Sequence, residues 1–78
     1  MTLMETVPVP VDSTLLASVN YDVGESILQL AFRDGAIYRY FAVPAAIYND
    51  LLAADSKGVY FNRKIRNCFP YVCLRRAQ

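Results

Sequence analysis

The stretch that decides the fold runs from Leu28 to Asn67 and reads LQLAFRDGAIYRYFAVPAAIYNDLLAADSKGVYFNRKIRN. Apolar and polar side chains alternate around Asp34-Gly35, a dipeptide that is a strong signal for a β-hairpin turn. Pro44 suits the first position of a helix, and apolar residues recur after it at three- and four-residue spacing. The stretch therefore predicts a hairpin, an amphipathic helix and, from Val59 to Asn67, a second short helix with a basic face.

The residues before this stretch predict one further strand. The segment from Thr14 to Tyr21 is β-prone, and alternation places Leu15, Ala17, Val19 and Tyr21 on one face. After the second helix, Pro70 ends helical structure and leaves only a short extended piece. The predicted fold is α+β, with a three-stranded antiparallel meander covered by one amphipathic helix and a second short helix.

The chain length predicts one domain, which we place at residues 13–74. Residues 1–12 contain two prolines and resemble an extended lead-in, and residues 75–78 form a short basic C-terminal tail. The composition is 55% hydrophobic, which favours a packed globule over a disordered chain. Because a domain of this size buries only about 60% of its unfolded surface, apolar surface remains for a partner to cover.

Charge is distributed unevenly along the chain, although the net charge is only +1. All seven acidic residues lie in residues 1–56, together with only two basic residues, Arg33 and Arg39. Residues 57–78 carry the other six basic residues and no acid. Such a split indicates an anionic partner for the basic end, or charge pairing between the two halves of one fold or of a dimer.

The Tyr38-Arg39-Tyr40 element has two possible settings in the hairpin, which differ by one residue. If Asp34-Gly35 forms a two-residue loop, Leu30 pairs with Arg39 and the tyrosines lie on the face opposite the leucines. If Arg33-Asp34-Gly35 forms the turn, with Gly35 in a left-handed conformation, Leu30 pairs with Tyr38 instead.

The second register is favoured because it gathers the leucines and tyrosines on one face and keeps Arg39 off it. We therefore expect Tyr38 and Tyr40 to be core or half-buried residues with their hydroxyl groups at the rim. On an open sheet, aromatic side chains at this spacing can instead stack RNA bases.

The residue types argue against catalysis and against a metal site. There is no histidine, which removes the commonest general base and the usual metal ligand. Cys68 and Cys73 are too few for a zinc site, and their apolar neighbours predict that both are small buried hydrophobic residues. No glycine-rich phosphate loop is present. We therefore expect no enzymatic activity, no cofactor, no metal and no small-molecule substrate.

The remaining constellation is the basic, aromatic segment from Lys57 to Arg66. On a helix, Arg63 and Arg66 lie one turn apart, and so do Tyr60 and Lys64. Such a face can hold phosphates while Tyr60 stacks on an exposed base. A solvated helix on an acidic domain would show the same residues, so the pattern leaves both interpretations open.

The same stretch resembles the KTSC domain, a small family found at the C-terminus of some lysyl-tRNA synthetases and as short bacterial proteins. The resemblance rests on the order of hairpin and helices, on Tyr38-Arg39-Tyr40, and on the run SKGVYFN from Ser56 to Asn62 with Ile65-Arg66 after it. It covers residues 13–67. It implies an α+β fold and an association with RNA, and it identifies no ligand.

Two functional hypotheses follow. The first is a non-catalytic module that binds RNA or tRNA, and the second is a protein-interaction module or homodimeric accessory protein with no nucleic-acid role. The N-terminal residues lack a basic segment followed by an apolar core, so we expect no signal peptide, no membrane insertion and a cytoplasmic location. The RNA-binding candidates are Arg63, Lys64 and Arg66 as phosphate ligands, Arg75 and Arg76 as a flexible basic extension, and Tyr60 or Tyr40 as a stacking surface.

Overall fold

A computed structural model describes residues 8–78 of the chain. Its main element is an antiparallel sheet of five strands in the order β1-β2-β3-β4-β5, and two helices pack against one face. The strands are β1 (Val9–Pro10), β2 (Leu16–Asp22), β3 (Ile27–Phe32), β4 (Ile37–Tyr40) and β5 (Tyr71–Arg75), and the helices are α1 (Ala45–Ala53) and α2 (Lys57–Lys64).

The predicted α+β class is confirmed, but the prediction of three strands is wrong, because the sheet has a further strand at each edge. β1 lies within the predicted lead-in and pairs with β2, so that Val9 is opposite Val19. The lead-in residues 1–7 lie outside the described residues. β5 pairs with β4 along its length, where only a short extended piece was expected. Edge strands are hard to predict here because β1 contains a proline and β5 has apolar residues on both faces.

The predicted basic tail begins at the end of β5 and is hydrogen-bonded to the hairpin turn at its last residue. Arg75 is the last residue of β5 and lies opposite Ile37. The backbone amide of Gln78 donates a hydrogen bond to the carbonyl oxygen of Asp34, 2.8 Å away. Arg75 and Arg76 therefore belong to a hydrogen-bonded segment that returns to the hairpin turn, and not to a flexible extension.

The hairpin turn has the favoured geometry. The amide of Phe32 donates to the carbonyl oxygen of Ala36 at 2.8 Å, which closes a turn over Arg33-Asp34-Gly35. Gly35 has a φ of 98°, a conformation that glycine adopts at little cost because it has no Cβ. The three-residue turn therefore sets the register of the two hairpin strands.

This register separates the two faces of the sheet. Leu30 lies opposite Tyr38 and Leu28 opposite Tyr40, so all of these side chains face the helices. Arg39 lies on the other face, where its Nε and Nη2 atoms donate to Oε1 of Gln29 at 3.1 and 2.7 Å. The expectation that both tyrosines are core or half-buried is confirmed, since Tyr40 is buried and Tyr38 is intermediate in exposure.

β2 differs from the predicted alternation. The pairing with β3 shifts between Leu16 and Ser18, an irregularity that lets Leu16 and Val19 both point into the core. Leu16, and not Ala17, is therefore the fully buried residue at this end of the strand. Tyr21 contacts α1, where its ring stacks on that of Tyr48 with centroids 4.8 Å apart.

The helices lie close to their predicted positions. α1 begins directly after Pro44, and Leu51 is its fully buried residue. α2 begins two residues before the predicted Val59, because the side chain of Ser56 caps it and its Oγ accepts a hydrogen bond from the Val59 amide at 3.3 Å. Gly58 in the first turn permits a close approach to the residue before β2, since a Cβ there would lie 3.3 Å from Cβ of Leu15.

The core lies between the helix-facing side of the sheet and the two helices. Its buried members are Val11, Leu16, Val19, Leu28, Leu30, Tyr40, Val43, Leu51, Phe61 and Ile65.

Neither helix among the described residues has the length and apolar character to cross a membrane.

Candidate functional site

A groove with a volume of about 490 Å³ opens between α2 and the β4–β5 edge of the sheet. Aromatic side chains form its floor, and we call it the aromatic groove. Two guanidinium groups and two amides lie around it, together with the carboxylate of Asp34 from the hairpin turn. The floor residues are Phe32, Tyr38, Tyr40, Phe61 and Tyr71, and the polar residues are Asp34, Asn62, Arg66, Asn67 and Arg76.

Strand geometry places the three tyrosines together. Tyr38 and Tyr40 are two residues apart on β4 and so share one face of the sheet. Tyr71 lies directly opposite Tyr40 on β5. The ring centroid of Tyr71 is 5.5 Å from that of Tyr40 and 5.6 Å from that of Tyr38. The result is a continuous aromatic surface that spans two neighbouring strands.

Two phenylalanines of the floor hold the tyrosine rings in place through edge-on contacts. The ring of Phe61, on α2, meets those of Phe32 and Tyr40 edge-on, with centroids 5.3 and 5.9 Å away. Phe32 also contacts Tyr38 edge-on at 5.7 Å. Edge-to-face contacts of this kind stabilise aromatic clusters beyond the burial of their area. The floor is therefore fixed by the core, and a bound ligand would not have to order it.

The tyrosines differ sharply in accessibility. Tyr40 is 4% exposed, whereas Tyr71 is 52% exposed. Tyr38 lies between these extremes. The ring faces that a ligand can reach therefore belong to Tyr71 and Tyr38, while Tyr40 forms the base of the groove.

The positive charge at the groove comes from two different parts of the chain. Arg66 follows α2, and its Nη1 atom is 3.4 Å from Oδ1 of Asn62, one helical turn earlier. Arg76 follows β5. Both arginines are exposed and line the same groove, so the site combines stacking surfaces with two groups that attract anions.

The pKa values of the Tyr38 and Tyr40 phenols are both raised. Burial raises the pKa of Tyr40 from 10.0 to about 12, against a smaller opposing effect of the positive charge on Arg66. The neighbouring Cys73 raises the pKa of Tyr38, through charge repulsion and a hydrogen bond. Both phenols therefore remain protonated at neutral pH.

The structure brings together only part of the predicted site. Arg66 and Arg76 both line the aromatic groove, as does Tyr40 in its base. Arg63 and Lys64 are exposed on the last turn of α2 and do not line it. Tyr60 packs against the core, also outside the groove, and Arg75 lies at the end of β5.

Two sequence-based expectations need correction. Tyr40 is buried beneath its neighbours, so its ring does not offer the open stacking face that was considered for it. Cys68 and Cys73 were predicted to be buried, and both are exposed. Cys68 follows α2 on the surface, and Cys73 lies on the edge strand, where the apolar neighbours that suggested burial are themselves exposed.

The residue that sequence reasoning missed is Tyr71. It was assigned to a short extended piece without a function, because nothing in its neighbourhood marks a strand that pairs with β4. The run YVCLR is compatible with an edge strand, and the Tyr38-Arg39-Tyr40 element offered a place to pair it. Among residues 8–78, no group of three or more histidine, cysteine, aspartate or glutamate side chains is placed to hold a metal ion.

Comparisons with known proteins agree with this fold. The family model of the KTSC domain matches residues 12–69. A KTSC domain protein from Yersinia pestis of known crystal structure has a TM-score of 0.84 and 30% sequence identity, over 87% of this chain and 96% of that one. The sequence and the fold thus define a small α+β domain in which two helices pack on a single antiparallel sheet.

The chain belongs to the KTSC domain family. A protein from Tsukamurella paurometabola is 42% identical over 65 residues, which cover 83% of this chain and 97% of that protein. An uncharacterised protein from Stutzerimonas stutzeri is 46% identical over 55 residues, or 70% of this chain and 78% of that protein. A lysine–tRNA ligase from a Nostoc species is 35% identical over 60 residues, which are 77% of this chain but only 11% of the ligase.

Proposed function

We propose that this domain is a non-catalytic module that binds an unpaired segment of RNA, such as a single-stranded part of a tRNA, in the aromatic groove. One base stacks on the ring of Tyr71, with the tilted ring of Tyr38 at its edge, and the flanking phosphates contact Arg66 and Arg76. The observation that carries the proposal is the meeting of accessible aromatic rings and two arginines in one groove.

The physical chemistry of the groove fits this ligand. Stacking of a base on an aromatic side chain contributes roughly 1–3 kcal/mol and tolerates any base, because every base has a π-face. Guanidinium groups bind phosphate through two parallel hydrogen bonds. The volume of about 490 Å³ lies within the range of clefts that enclose a small ligand, so the groove suits one nucleotide and not a duplex.

The relatives support a link to tRNA. The matched segment of the Nostoc protein belongs to a lysine–tRNA ligase, an enzyme whose name states that tRNA is its substrate. A domain that is attached to such an enzyme has tRNA within reach. The proposal for this chain is that the KTSC domain itself contributes contacts to the nucleic acid.

Binding of a fluorescently labelled single-stranded RNA of mixed sequence tests this function. The measurement is fluorescence anisotropy at low and moderate salt, with wild-type protein, Arg66→Glu and Arg63→Glu. Arg63 is the matched control, since it is also an exposed arginine near the end of α2 but lies outside the groove. We expect Arg66→Glu to weaken binding at least tenfold and Arg63→Glu to have a much smaller effect.

The salt dependence provides a second criterion. Two phosphate contacts predict a slope of roughly −1.4 for log K against log salt with a single strand. Equal losses in the two variants would assign binding to the outer face of α2 and would contradict the groove as the site. No binding at low salt, where electrostatic attraction is strongest, would remove the RNA function altogether.

A further inference from the structure

β5 is an edge strand with an unusual amount of exposed apolar surface. All five of its residues are exposed. Of the large hydrophobic side chains that are exposed in the described part of the chain, three lie on this one strand: Tyr71 at 52%, Val72 at 44% and Leu74 at 48%. Natural proteins usually keep the edge strands of their sheets short, charged or covered, because an open edge pairs readily with another chain.

The hydrogen-bond pattern shows which groups of β5 are free to pair. The amide of Phe41 donates to the carbonyl oxygen of Pro70 at 2.9 Å. Hydrogen-bonded and non-hydrogen-bonded pairs alternate along an antiparallel ladder, so Arg39 and Val72 form the next hydrogen-bonded pair. The backbone groups of Val72 thus point to β4. Those of Tyr71 and Cys73 point away from the sheet.

The irregularity at Leu74 limits this free edge. The pairing of β4 with β5 shifts by one residue there, so that Arg75, and not Leu74, lies opposite Ile37. Leu74 is the extra residue of this bulge, and Arg75 after it pairs with β4 again. On β5 the outward-pointing backbone groups are therefore those of Tyr71 and Cys73, on either side of Val72.

We propose that the β5 edge binds β5 of a second copy of this chain in antiparallel orientation, about a twofold axis at Val72. In this register Tyr71 of each copy exchanges both of its backbone hydrogen bonds with Cys73 of the other. The two Val72 residues form the central non-hydrogen-bonded pair, with Cα atoms about 4.5 Å apart. The two sheets join into one, and this assembly does not depend on the RNA function of the groove.

Self-complementarity is the reason to assign a second copy to this edge. A twofold axis at Val72 uses both outward-pointing residues of each chain and leaves neither unpaired. A longer foreign strand would extend beyond these two residues and would find no further outward groups on β5. The antiparallel arrangement also places the two Arg75 side chains at opposite ends of the joined strands, so their charges do not meet.

The side chains agree with this pairing. Val72 and Leu74 lie on the face of the sheet that carries no helix, and the joined strands extend that apolar surface from both sides. Tyr71 lies opposite Cys73 of the other copy on the helix-facing side. Because the axis is perpendicular to the sheet, both aromatic grooves open on the same side of the dimer, next to the shared strands.

Disulfide trapping tests the register. In a Cys68→Ser, Cys73→Ser background, Val72→Cys is oxidised under mild conditions with copper–phenanthroline and examined on a non-reducing gel. We expect most of the protein to form a disulfide-linked dimer, because central non-hydrogen-bonded pairs bring Cβ atoms within disulfide reach. The control is Leu74→Cys in the same background, since position 74 lies roughly 13 Å from its counterpart in this register.

The oligomeric state of the protein with its native cysteines reduced provides an independent measurement. We expect a dimer by sedimentation equilibrium, and a monomer for Cys73→Pro. Proline at position 73 removes an outward amide and none that pairs with β4, so circular dichroism of this variant should remain that of the folded protein. Cys73→Ser should stay dimeric.

Three results would overturn the proposal. The first is a wild-type protein that is monomeric at about 100 µM, because a dimer with a dissociation constant of that order or lower would be substantially populated there. The second is equal cross-linking of the two single-cysteine proteins. The third is a Cys73→Pro variant that is folded and still dimeric. A monomer with intact RNA binding would refute this assembly alone, while a dimer without RNA binding would refute only the function of the groove.

Discussion

Tyr71 and Tyr40 lie opposite each other on β5 and β4 with ring centroids 5.5 Å apart, yet one is 52% exposed and the other 4%. The same ladder position thus supplies a buried support and an accessible surface. The difference arises because α2 covers the β4 end of the pair through Phe61, whose ring contacts Tyr40. Mutation of Tyr71 should therefore mainly change the affinity for a ligand, and mutation of Tyr40 should mainly change the stability of the fold.

The first prediction concerns Tyr71. Replacement by alanine removes an accessible stacking surface, so we expect the affinity for single-stranded RNA to fall by about 5- to 150-fold, the range that corresponds to one stacked base. Tyr71→Phe keeps the ring and should bind within about threefold of wild type. Both are measured by anisotropy, with the thermal midpoint as a check on folding. Wild-type affinity in a folded Tyr71→Ala variant would exclude a stacking role.

The second prediction concerns Tyr40 and pH. Its pKa in the folded protein is raised from 10.0 to about 12, so the folded state favours the neutral phenol. The resulting stabilisation is fully present below pH 10 and is lost as the pH rises towards 12. Tyr40→Phe carries no phenol to ionise. We expect the free energy of unfolding of wild type to fall more steeply than that of Tyr40→Phe between pH 9 and pH 11.5 or so, by on the order of 1–2 kcal/mol.

Urea unfolding at several pH values measures this difference. Ionisation of groups that do not interact with Tyr40, such as Tyr60, whose pKa is also raised, occurs in both proteins and cancels in the comparison. Parallel curves for the two proteins would mean that the Tyr40 hydroxyl is solvated and that its pKa is not raised in the folded protein.

The third prediction concerns the hairpin turn. Gly35 has a φ of 98°, and a Cβ there would lie 2.6 Å from Cγ of Gln78. We expect Gly35→Ala to lower the free energy of unfolding by about 1–2 kcal/mol, through backbone strain and through displacement of the C-terminal residues. Gly24→Ala is the matched control. A Cβ at Gly24 would meet only Asp22 Oδ1, at 3.4 Å, and the thermal midpoint should hardly change.

A Gln78→Gly change added to Gly35→Ala separates the two contributions. It removes the steric conflict and leaves the backbone strain, so only part of the stability should return. Complete recovery would show that the left-handed turn is not required, and with it that the register of Tyr38 does not depend on this turn.

The fourth prediction concerns the start of α2. Ser56 Oγ accepts a hydrogen bond from the Val59 amide, so Ser56→Ala should destabilise the domain by about 1 kcal/mol, while Ser56→Asp should retain the cap. Because the cap belongs to α2, amide exchange in Ser56→Ala should increase in α2 before it does in β3 and β4. Phe61, which lies in the floor of the groove, is carried by this helix. Unchanged exchange in Ser56→Ala would mean that the tertiary contacts of Phe61 alone hold the helix.

The parts of the fold that followed from sequence are those with strong local signals. The Asp34-Gly35 turn, the alternation of Leu28 and Leu30, and the Pro44 helix start each correspond to an observed element. The register of the tyrosines followed from a physical argument as well, since the other setting placed Arg39 among the leucines. Arg39 instead pairs with Gln29 on the opposite face.

The parts that failed depend on contacts distant in sequence. β5 is defined by its pairing with β4, and nothing within residues 71–75 distinguishes an exposed edge strand from a buried apolar segment. The expectation of buried cysteines failed for the same reason. The groove forms because the pairing of β5 with β4 brings Tyr71 and Arg76 next to Tyr38. The predicted site lay instead on one helix, with Arg63, Lys64 and Arg66.

The most direct test of the aromatic groove as the RNA site is an amide NMR titration of the labelled protein with single-stranded RNA at low salt. We expect the largest shift changes on Tyr38, Arg66, Tyr71 and Arg76, and we expect them to diminish steeply as salt is added. Shift changes confined to Tyr60, Arg63 and Lys64 on the outer side of α2, with none on β4 or β5, would contradict this expectation.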